Sequence, residues 1–241
     1  MGATHRRQRA VAGLSDDPGV SSNAVPGFLP STNGLRFVNR FPAQATIFLR
    51  LGGRTILGLG NAADGLCGGL ATVTRDLFDA GMAPWEDVDP PEGDSPHFRE
   101  LVWRQVDSFE LGRVPFRFYD LAVARPDPPT AWSRLLRRRP RPVETVRREW
   151  PRIRADVDAG HLSMVGLVRA ATWDPRLLGL NHQVVAYGYE VSRDSLSLSI
   201  YDPNHPLDDT VRIRLQLTMD RRSATMSYST GEPLLTFFRA P

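Results

Sequence analysis

The chain contains a single cysteine, Cys67, in a context that suits a nucleophilic thiol. Apolar residues recur at three and four positions over residues 67–80 and Gly81 follows them, so the sequence predicts a helix that begins at the cysteine. A helix N-terminus stabilises a thiolate through its unpaired N–H groups and its dipole. Glycines flank Cys67 on both sides, which predicts that the backbone can approach a substrate carbonyl and that the Cys67 N–H can stabilise an oxyanion.

A histidine and a carboxylate follow at the ends of two predicted strands. His182 opens the first strand and Asp202 follows the second, with the turn residues 192–194 between the strands. Because such strands run antiparallel, we expect the two side chains to lie side by side. His182 would then take the Cys67 proton, and Asp202 would orient the imidazole. Each residue alone also fits a structural role, as a buried thiol, a strand end or a turn, but their combination favours catalysis.

These segments resemble the Cys, His and Asp boxes of papain-like cysteine peptidases, and the similarity is closest to the C39-like branch. The similar segments are residues 65–70, 181–189 and 201–204. The resemblance implies an oxyanion-hole amide six residues before the nucleophile, where this chain has Asn61 in place of the usual Gln. It also makes Asn204 an alternative third member, since papain uses Asn there. We favour Asp202 because it directly follows the strand.

The resemblance implies a cysteine peptidase or amidase that cleaves an amide bond through a thioester, with no cofactor. Peptides, proteins and small amides are all compatible substrates. Two alternatives stay open: a transglutaminase-like acyltransferase or deamidase on the same fold, and a papain-like binding module that has lost catalysis. The resemblance also implies a papain-like α+β fold, in which the nucleophile helix packs on a C-terminal antiparallel sheet.

The order of the predicted elements leads to the same fold class. Helical patterns dominate the first two thirds of the chain, and short alternating runs separated by turn residues follow from residue 162 onward. Before the first helix, the apolar runs 35–41 and 45–51 predict strands, the second in a hairpin closed by Gly52 and Gly53. Residues 1–30 are polar and rich in turn residues, and we expect a disordered tail there. Residues 31–241 then form one catalytic domain.

A segment rich in proline and arginine interrupts that domain at about residues 124–142 and predicts an exposed insertion. Its basic run, Arg137 to Arg141, is typical of a solvated loop. Because no aromatic residues alternate with these arginines to stack on bases, the run argues against nucleic-acid binding. A metal cluster of His182, Asp202, His205 and Asp208 is the remaining alternative, but the spacing of these residues matches no common zinc motif, so we predict no metal site.

Composition bounds the cellular setting. The chain has 241 residues, 41% of them hydrophobic, and a formal net charge of only +3, which is typical of a globular domain. No apolar run approaches the ~18 residues of a membrane span, and the N-terminus has no apolar signal core. One cysteine excludes an internal disulfide. We therefore expect a cytoplasmic protein that does not associate with membranes, and export without an N-terminal signal is also compatible.

Overall fold

The structure is a computed structural model, and it describes most of the chain in nine segments. These are residues 19–42, 45–51, 54–61, 65–93, 95–110, 113–124, 141–170, 181–218 and 224–240. For 45–51, 54–61, 123–124 and 142–143 it describes the backbone alone. Helices pack on an antiparallel sheet formed mainly by the C-terminal third, so the predicted α+β class is confirmed.

The helices precede most of the main sheet in the chain. They are α1 (Pro30–Asn33), α2 (Cys67–Asp79), α3 (Pro96–Asp107), α4 (Arg113–Tyr119), α5 (Arg141–Glu144) and α6 (Trp150–Asp158). A wider π turn, Thr145–Glu149, joins α5 to α6 and falls where Pro151 removes a backbone N–H from the helical ladder. In the described part of the chain, no helix is both long and apolar enough to cross a lipid bilayer.

Helix α2 begins and ends where the sequence predicts. Cys67 is its first residue, and after its last turn Gly81 adopts a φ of +64°. The Gly81 N–H donates to the Phe78 carbonyl at 2.9 Å, and the Met82 N–H donates to the Leu77 carbonyl at 2.8 Å. These bonds satisfy carbonyls that the helix leaves unpaired, which fixes its C-terminal end.

The described strands form two antiparallel sheets. They are β1 (Ser21–Ala24), β2 (Ala45–Leu51), β3 (Arg54–Asn61), β4 (Ser163–Val168), β5 (His182–Val191), β6 (Ser195–Tyr201), β7 (Arg212–Leu217), β8 (Ala224–Tyr228) and β9 (Thr236–Arg239). The main sheet has the order β8-β7-β6-β5-β4-β9, with β1 also paired to β5. Strands β2 and β3 form the predicted hairpin as a separate two-stranded sheet.

Helix α2 lies between two hydrophobic clusters. Ala71 belongs to the larger cluster, which joins the main sheet to α4 and α6. Leu70 and Val73 belong to the smaller cluster, with α3 and the irregular segment that follows α1. Burial on two sides fixes the helix that carries Cys67 against both the sheet and the N-terminal part of the fold.

Two predictions for the N-terminal part are wrong. Residues 21–30, predicted to be disordered, include β1, which pairs with β5 through contacts such as Asn23 opposite Tyr189, and three buried residues, Val25, Phe28 and Pro30. The run 35–41, predicted to be a strand, bends at residues 36, 37 and 39 and joins no described sheet. Its apolar side chains instead pack in the smaller cluster. The first 18 residues of the expected tail lie outside the described residues.

The predicted insertion is only partly described, because residues 125–140 lie outside the described segments. Arg141, the last arginine of the basic run, starts α5 and is buried. Its guanidinium donates to the carbonyls of Leu121 and Ala122, both at 2.7 Å. The prediction of an exposed insertion through residue 142 is therefore wrong at Arg141. This side chain connects α5 to Leu121 and Ala122, just after α4.

Candidate active site

Cys67 lies at the first position of α2, where its side chain is partly exposed. The helix faces the start of β5, and the Gln183 N–H donates to the Cys67 sulfur at 3.4 Å. At the first helical position the cysteine's own N–H has no acceptor within the helix. The Cys67 sulfur therefore accepts a hydrogen bond from the Gln183 N–H on β5. The second N–H near it is the backbone N–H of Cys67, at the N-terminus of the helix.

His182 and Asp202 form a buried pair beside this sulfur. Val185 on β5 pairs with Tyr201 on β6, so the residue that follows β6 reaches the start of β5. The His182 Nε2 lies 2.6 Å from the Asp202 Oδ1, and the two residues are 3% and 0% exposed. With Nε2 engaged by Asp202, the other ring nitrogen of His182 is left for Cys67, and the charge of His182 acts on the Cys67 thiol. The structure thus brings Cys67, His182 and Asp202 together in the predicted order.

The positive charge of His182 stabilises the negative forms of both Cys67 and Asp202, whereas the charge of Asp202 itself raises the pKa of the Cys67 thiol. Burial raises the pKa of the Cys67 thiol, but the charge of His182 and its hydrogen bond outweigh burial, so the net shift is downward. Burial alone would lower the pKa of His182, yet the negative charges of Asp202 and Cys67 raise it to about 9. Although burial opposes it, His182 holds the pKa of Asp202 well below its usual range. This arrangement favours the thiolate form of Cys67 beside an imidazolium more than an isolated cysteine would.

Two further donors fix the Asp202 carboxylate. The Asn204 N–H donates to Oδ1 at 2.8 Å, and the buried Tyr228 hydroxyl donates to Oδ2. Burial, and then the charge of Asp202, raise the pKa of Tyr228 above its ordinary value, so the phenol keeps its proton. Sequence reasoning missed Tyr228, which lies on β8 and shows no spacing relation to the carboxylate. A tyrosine at the end of a predicted strand near the C-terminus was its only signal.

The remaining predicted site residues have different positions. The Asn204 side chain bonds to Asn39, 3.0 Å away, and the bond to His182 comes from Asp202. Asn61 is the last residue of β3, opposite Ala45, and its side chain lies outside the part of the chain that is described in full. Its predicted role as an oxyanion donor therefore stays a prediction.

The glycines after Cys67 contact protein and do not face an open cleft. A Cβ atom on Gly69 would lie 2.2 Å from the Leu101 carbonyl oxygen, and one on Gly68 would lie 2.3 Å from the Ser108 hydroxyl oxygen. The absence of these atoms lets α3 approach the first turn of α2. Gln105 on α3 then accepts a hydrogen bond from the Gly69 N–H at 2.9 Å, which satisfies a donor that the helix leaves unpaired.

Of the four residues considered as an alternative metal cluster, Asp202 and His205 have potential ligand atoms near each other, with Glu232 as a neighbour. One ligand atom from each of these three lies within 4.8 Å of the other two. Both Asp202 oxygens are already engaged, Oδ1 by His182 and Oδ2 by Tyr228. A metal ion on Asp202 would compete with the charged His182 ring and the Tyr228 hydroxyl that already bind its oxygens, so the geometry favours the contact with His182 over a metal site.

Comparison of the chain with protein-family models, with curated proteins and with solved structures gives no match. The geometry of the site is therefore the basis for assigning a function.

The contact between Tyr228 and Asp202 predicts a measurable loss of stability in Tyr228→Phe. This variant keeps the buried ring but removes the hydrogen bond to a charged carboxylate, so the free energy of unfolding at pH 7 should fall by about 1.5–3 kcal/mol. Urea denaturation measures the difference. Tyr187→Phe is the matched control, because its hydroxyl donates to the neutral Asp209 carbonyl at 3.2 Å. An equal loss in both variants would contradict a charge-assisted bond at Tyr228.

Proposed function

We propose that the chain is a cysteine-dependent peptidase or amidase that acts by acyl transfer with a papain-like triad of Cys67, His182 and Asp202. The observation that carries the proposal is the buried 2.6 Å contact between His182 and Asp202 beside the Cys67 sulfur. Buried ionisable groups are costly, so their convergence on a partly exposed thiol at a helix N-terminus points to chemistry at that thiol.

The first half-reaction forms a thioester. The Cys67 sulfur attacks the carbonyl carbon of an amide, and the carbonyl oxygen takes the negative charge. The Cys67 N–H, together with Asn61, would stabilise this oxyanion. When the carbon–nitrogen bond breaks, His182 gives its proton to the leaving amine. Because His182 must hold that proton, this step should slow as the pH rises through the His182 pKa of about 9.

The second half-reaction releases the acyl group. His182, now neutral, takes a proton from a water molecule, and the resulting oxygen nucleophile attacks the thioester carbon. The carbon–sulfur bond breaks, a carboxylic acid leaves, and the thiolate and imidazolium return. Throughout the cycle Asp202 keeps the imidazole in one orientation and stabilises its charged form.

Alkylation by iodoacetamide tests the proposal without a known substrate. Since Cys67 is the only cysteine, every modified thiol in the protein is Cys67. At pH 6.5 the native protein should react about tenfold faster than the protein unfolded in urea, because His182 lowers the thiol pKa from its ordinary 9.0. In His182→Gln this advantage should disappear, and the rate should rise only near the ordinary thiol pKa. A native rate no faster than the unfolded one would contradict the proposal.

A chromogenic ester tests acyl transfer itself. With p-nitrophenyl acetate, mass spectrometry of the intact protein should detect one acetyl group on Cys67, lost again as water completes the cycle. Methylamine added to the same reaction distinguishes the two acceptors. Acetate as the main product supports hydrolysis, whereas N-methylacetamide as the main product would favour the acyltransferase alternative.

A further inference from the structure

Asn39 lies in the irregular segment after α1 and contacts both halves of the candidate site. Its side-chain Oδ1 accepts a hydrogen bond from the Leu66 N–H at 2.7 Å, and its Nδ2 donates to the Asn204 Oδ1 at 3.0 Å. Its own backbone N–H donates to the Pro203 carbonyl at 3.0 Å. One residue thus joins the loop that precedes the nucleophile to the turn that follows the triad carboxylate.

The two joined segments each contact the triad directly. Leu66 precedes Cys67 and caps α2, although its own side chain offers no hydrogen bond to the helix. In the turn, the Asn204 N–H holds Asp202 at 2.8 Å. With the pair of His182 and Asp202, these bonds complete a closed ring that runs from the nucleophile through the base and the carboxylate and back through Asn39.

The backbone at Gly65 is shaped for this contact. Gly65 has a φ of +86°, a conformation that favours glycine, and a Cβ atom there would lie 2.6 Å from the Asn39 Nδ2. The neighbouring side chains Phe37 and Phe41 are buried in the smaller cluster, which anchors the segment on both sides of Asn39. The amide is therefore held in place by packing and is not a mobile surface group.

We propose that Asn39 is a positioning residue for catalysis, which holds the nucleophile loop and the Asp202 turn at the separation that the triad needs. The proposal rests on the proposed function, since it concerns how the same triad is kept in register. Asn39 touches no reacting atom in this scheme. It acts through Leu66 on one side and Asn204 on the other.

Asn39→Ala removes both side-chain bonds, and the pH profile of iodoacetamide alkylation tests the result. A less well-held imidazolium should stabilise the thiolate less, so the rate at pH 6.5 should fall about tenfold. At pH 10 the thiol is ionised whether or not His182 stabilises the thiolate, so the alkylation rate should match that of the wild type. A purely structural role predicts the opposite pattern, because partial unfolding would expose the thiol and raise the rate at pH 10.

Asn33→Ala is the matched control. Asn33 lies in the same N-terminal part of the chain, and its Oδ1 accepts a hydrogen bond from the Leu29 N–H at 3.0 Å, but that bond stays within the α1 region. Its alkylation profile should equal that of the wild type. An Asn39→Ala profile equal to the wild type, or an Asn33→Ala profile shifted as far as that of Asn39→Ala, would overturn the proposal.

Asn204→Ala gives a second test that does not depend on the folding of Asn39→Ala. This variant removes the hydrogen bond between Asn204 and Asn39 but keeps the bond between Asn39 and Leu66. Alkylation at pH 6.5 should therefore slow by a smaller factor than in Asn39→Ala. Where both variants fold, the double variant should react no more slowly than Asn39→Ala alone, since the two residues share one contact. Additive losses, or a wild-type profile in Asn204→Ala, would overturn the proposed connection. The comparison of wild type with His182→Gln tests the triad separately, so loss of the Asn39 effect alone leaves the proposed function intact.

Discussion

Cys67→Ala is expected to abolish acylation by p-nitrophenyl acetate, with a loss of about 10⁴-fold or more relative to the wild type. The substitution removes the only thiol of the chain and with it the atom that forms the thioester. Intact-protein mass spectrometry should detect no acetylated species, and p-nitrophenol should appear at the rate found in buffer.

Cys67→Ser is the informative companion variant. It keeps a nucleophilic atom in nearly the same place, but a hydroxyl ionises far less readily than a thiol, and the site stabilises a thiolate at neutral pH. We therefore expect it to be nearly as inactive as Cys67→Ala. A wild-type rate in either variant would show that the ester reacts elsewhere on the protein, and the proposed nucleophile would be wrong.

The second large effect is expected from Asp202→Asn. The substitution preserves the shape of the side chain but removes the charge that orients His182 and supports its imidazolium form. Acylation at pH 7 should fall by about 10²–10⁴-fold, a range set by the loss of the correct tautomer and of the charge. Asp208→Asn is the control, because that carboxylate accepts hydrogen bonds from Thr210, whereas the hydrogen bond to the His182 ring comes from Asp202. A comparable loss in Asp208→Asn would contradict a specific role of Asp202.

The same variant has a predicted pH signature in stability. The pKa of Asp202 is held below its unfolded value of 3.8, so its contribution is present above about pH 4 and is lost as the pH falls. The pKa of His182 is raised to about 9, so its contribution is lost as the pH rises through 9. Urea denaturation should show a wild-type advantage of about 2–4 kcal/mol near pH 6, which shrinks at both extremes. A constant difference from pH 3 to pH 10 would contradict the ion pair.

The fold could be predicted where local pattern and tertiary packing agree. Helix α2 has an unambiguous apolar stripe and a glycine at its end, and both limits were predicted correctly. Strand β1 was missed because its sequence, Ser21 to Ala24, is polar and its only support is pairing with β5, far along the chain. Residues 35–41 have the alternation of a strand, but they pair with no described strand, and their apolar side chains are buried in the smaller cluster instead.

The candidate site, like the fold, could be predicted only where the sequence signal is local. Cys67, His182 and Asp202 were recognisable because each stands at an element boundary whose chemistry is local: a helix start, a strand start and the turn after a strand. Tyr228 and Asn39 were not, since each acts through one side-chain contact with a distant segment, and no periodicity or spacing records such contacts. The glycines after Cys67 were recognised as special, but their role is close packing with α3 and not access for a substrate.

The wide distribution of the site along the chain has a consequence for the newly synthesised protein. Cys67 is synthesised roughly 160 residues before Tyr228, whose hydroxyl donates to the Asp202 carboxylate. At about 5–20 residues per second, that interval lasts on the order of 10–30 s. During this time the thiol is an ordinary cysteine with an ordinary pKa, because its base and carboxylate have yet to be assembled. Under the proposed function, a chain that has not yet been synthesised as far as Tyr228 would not react with amides through Cys67.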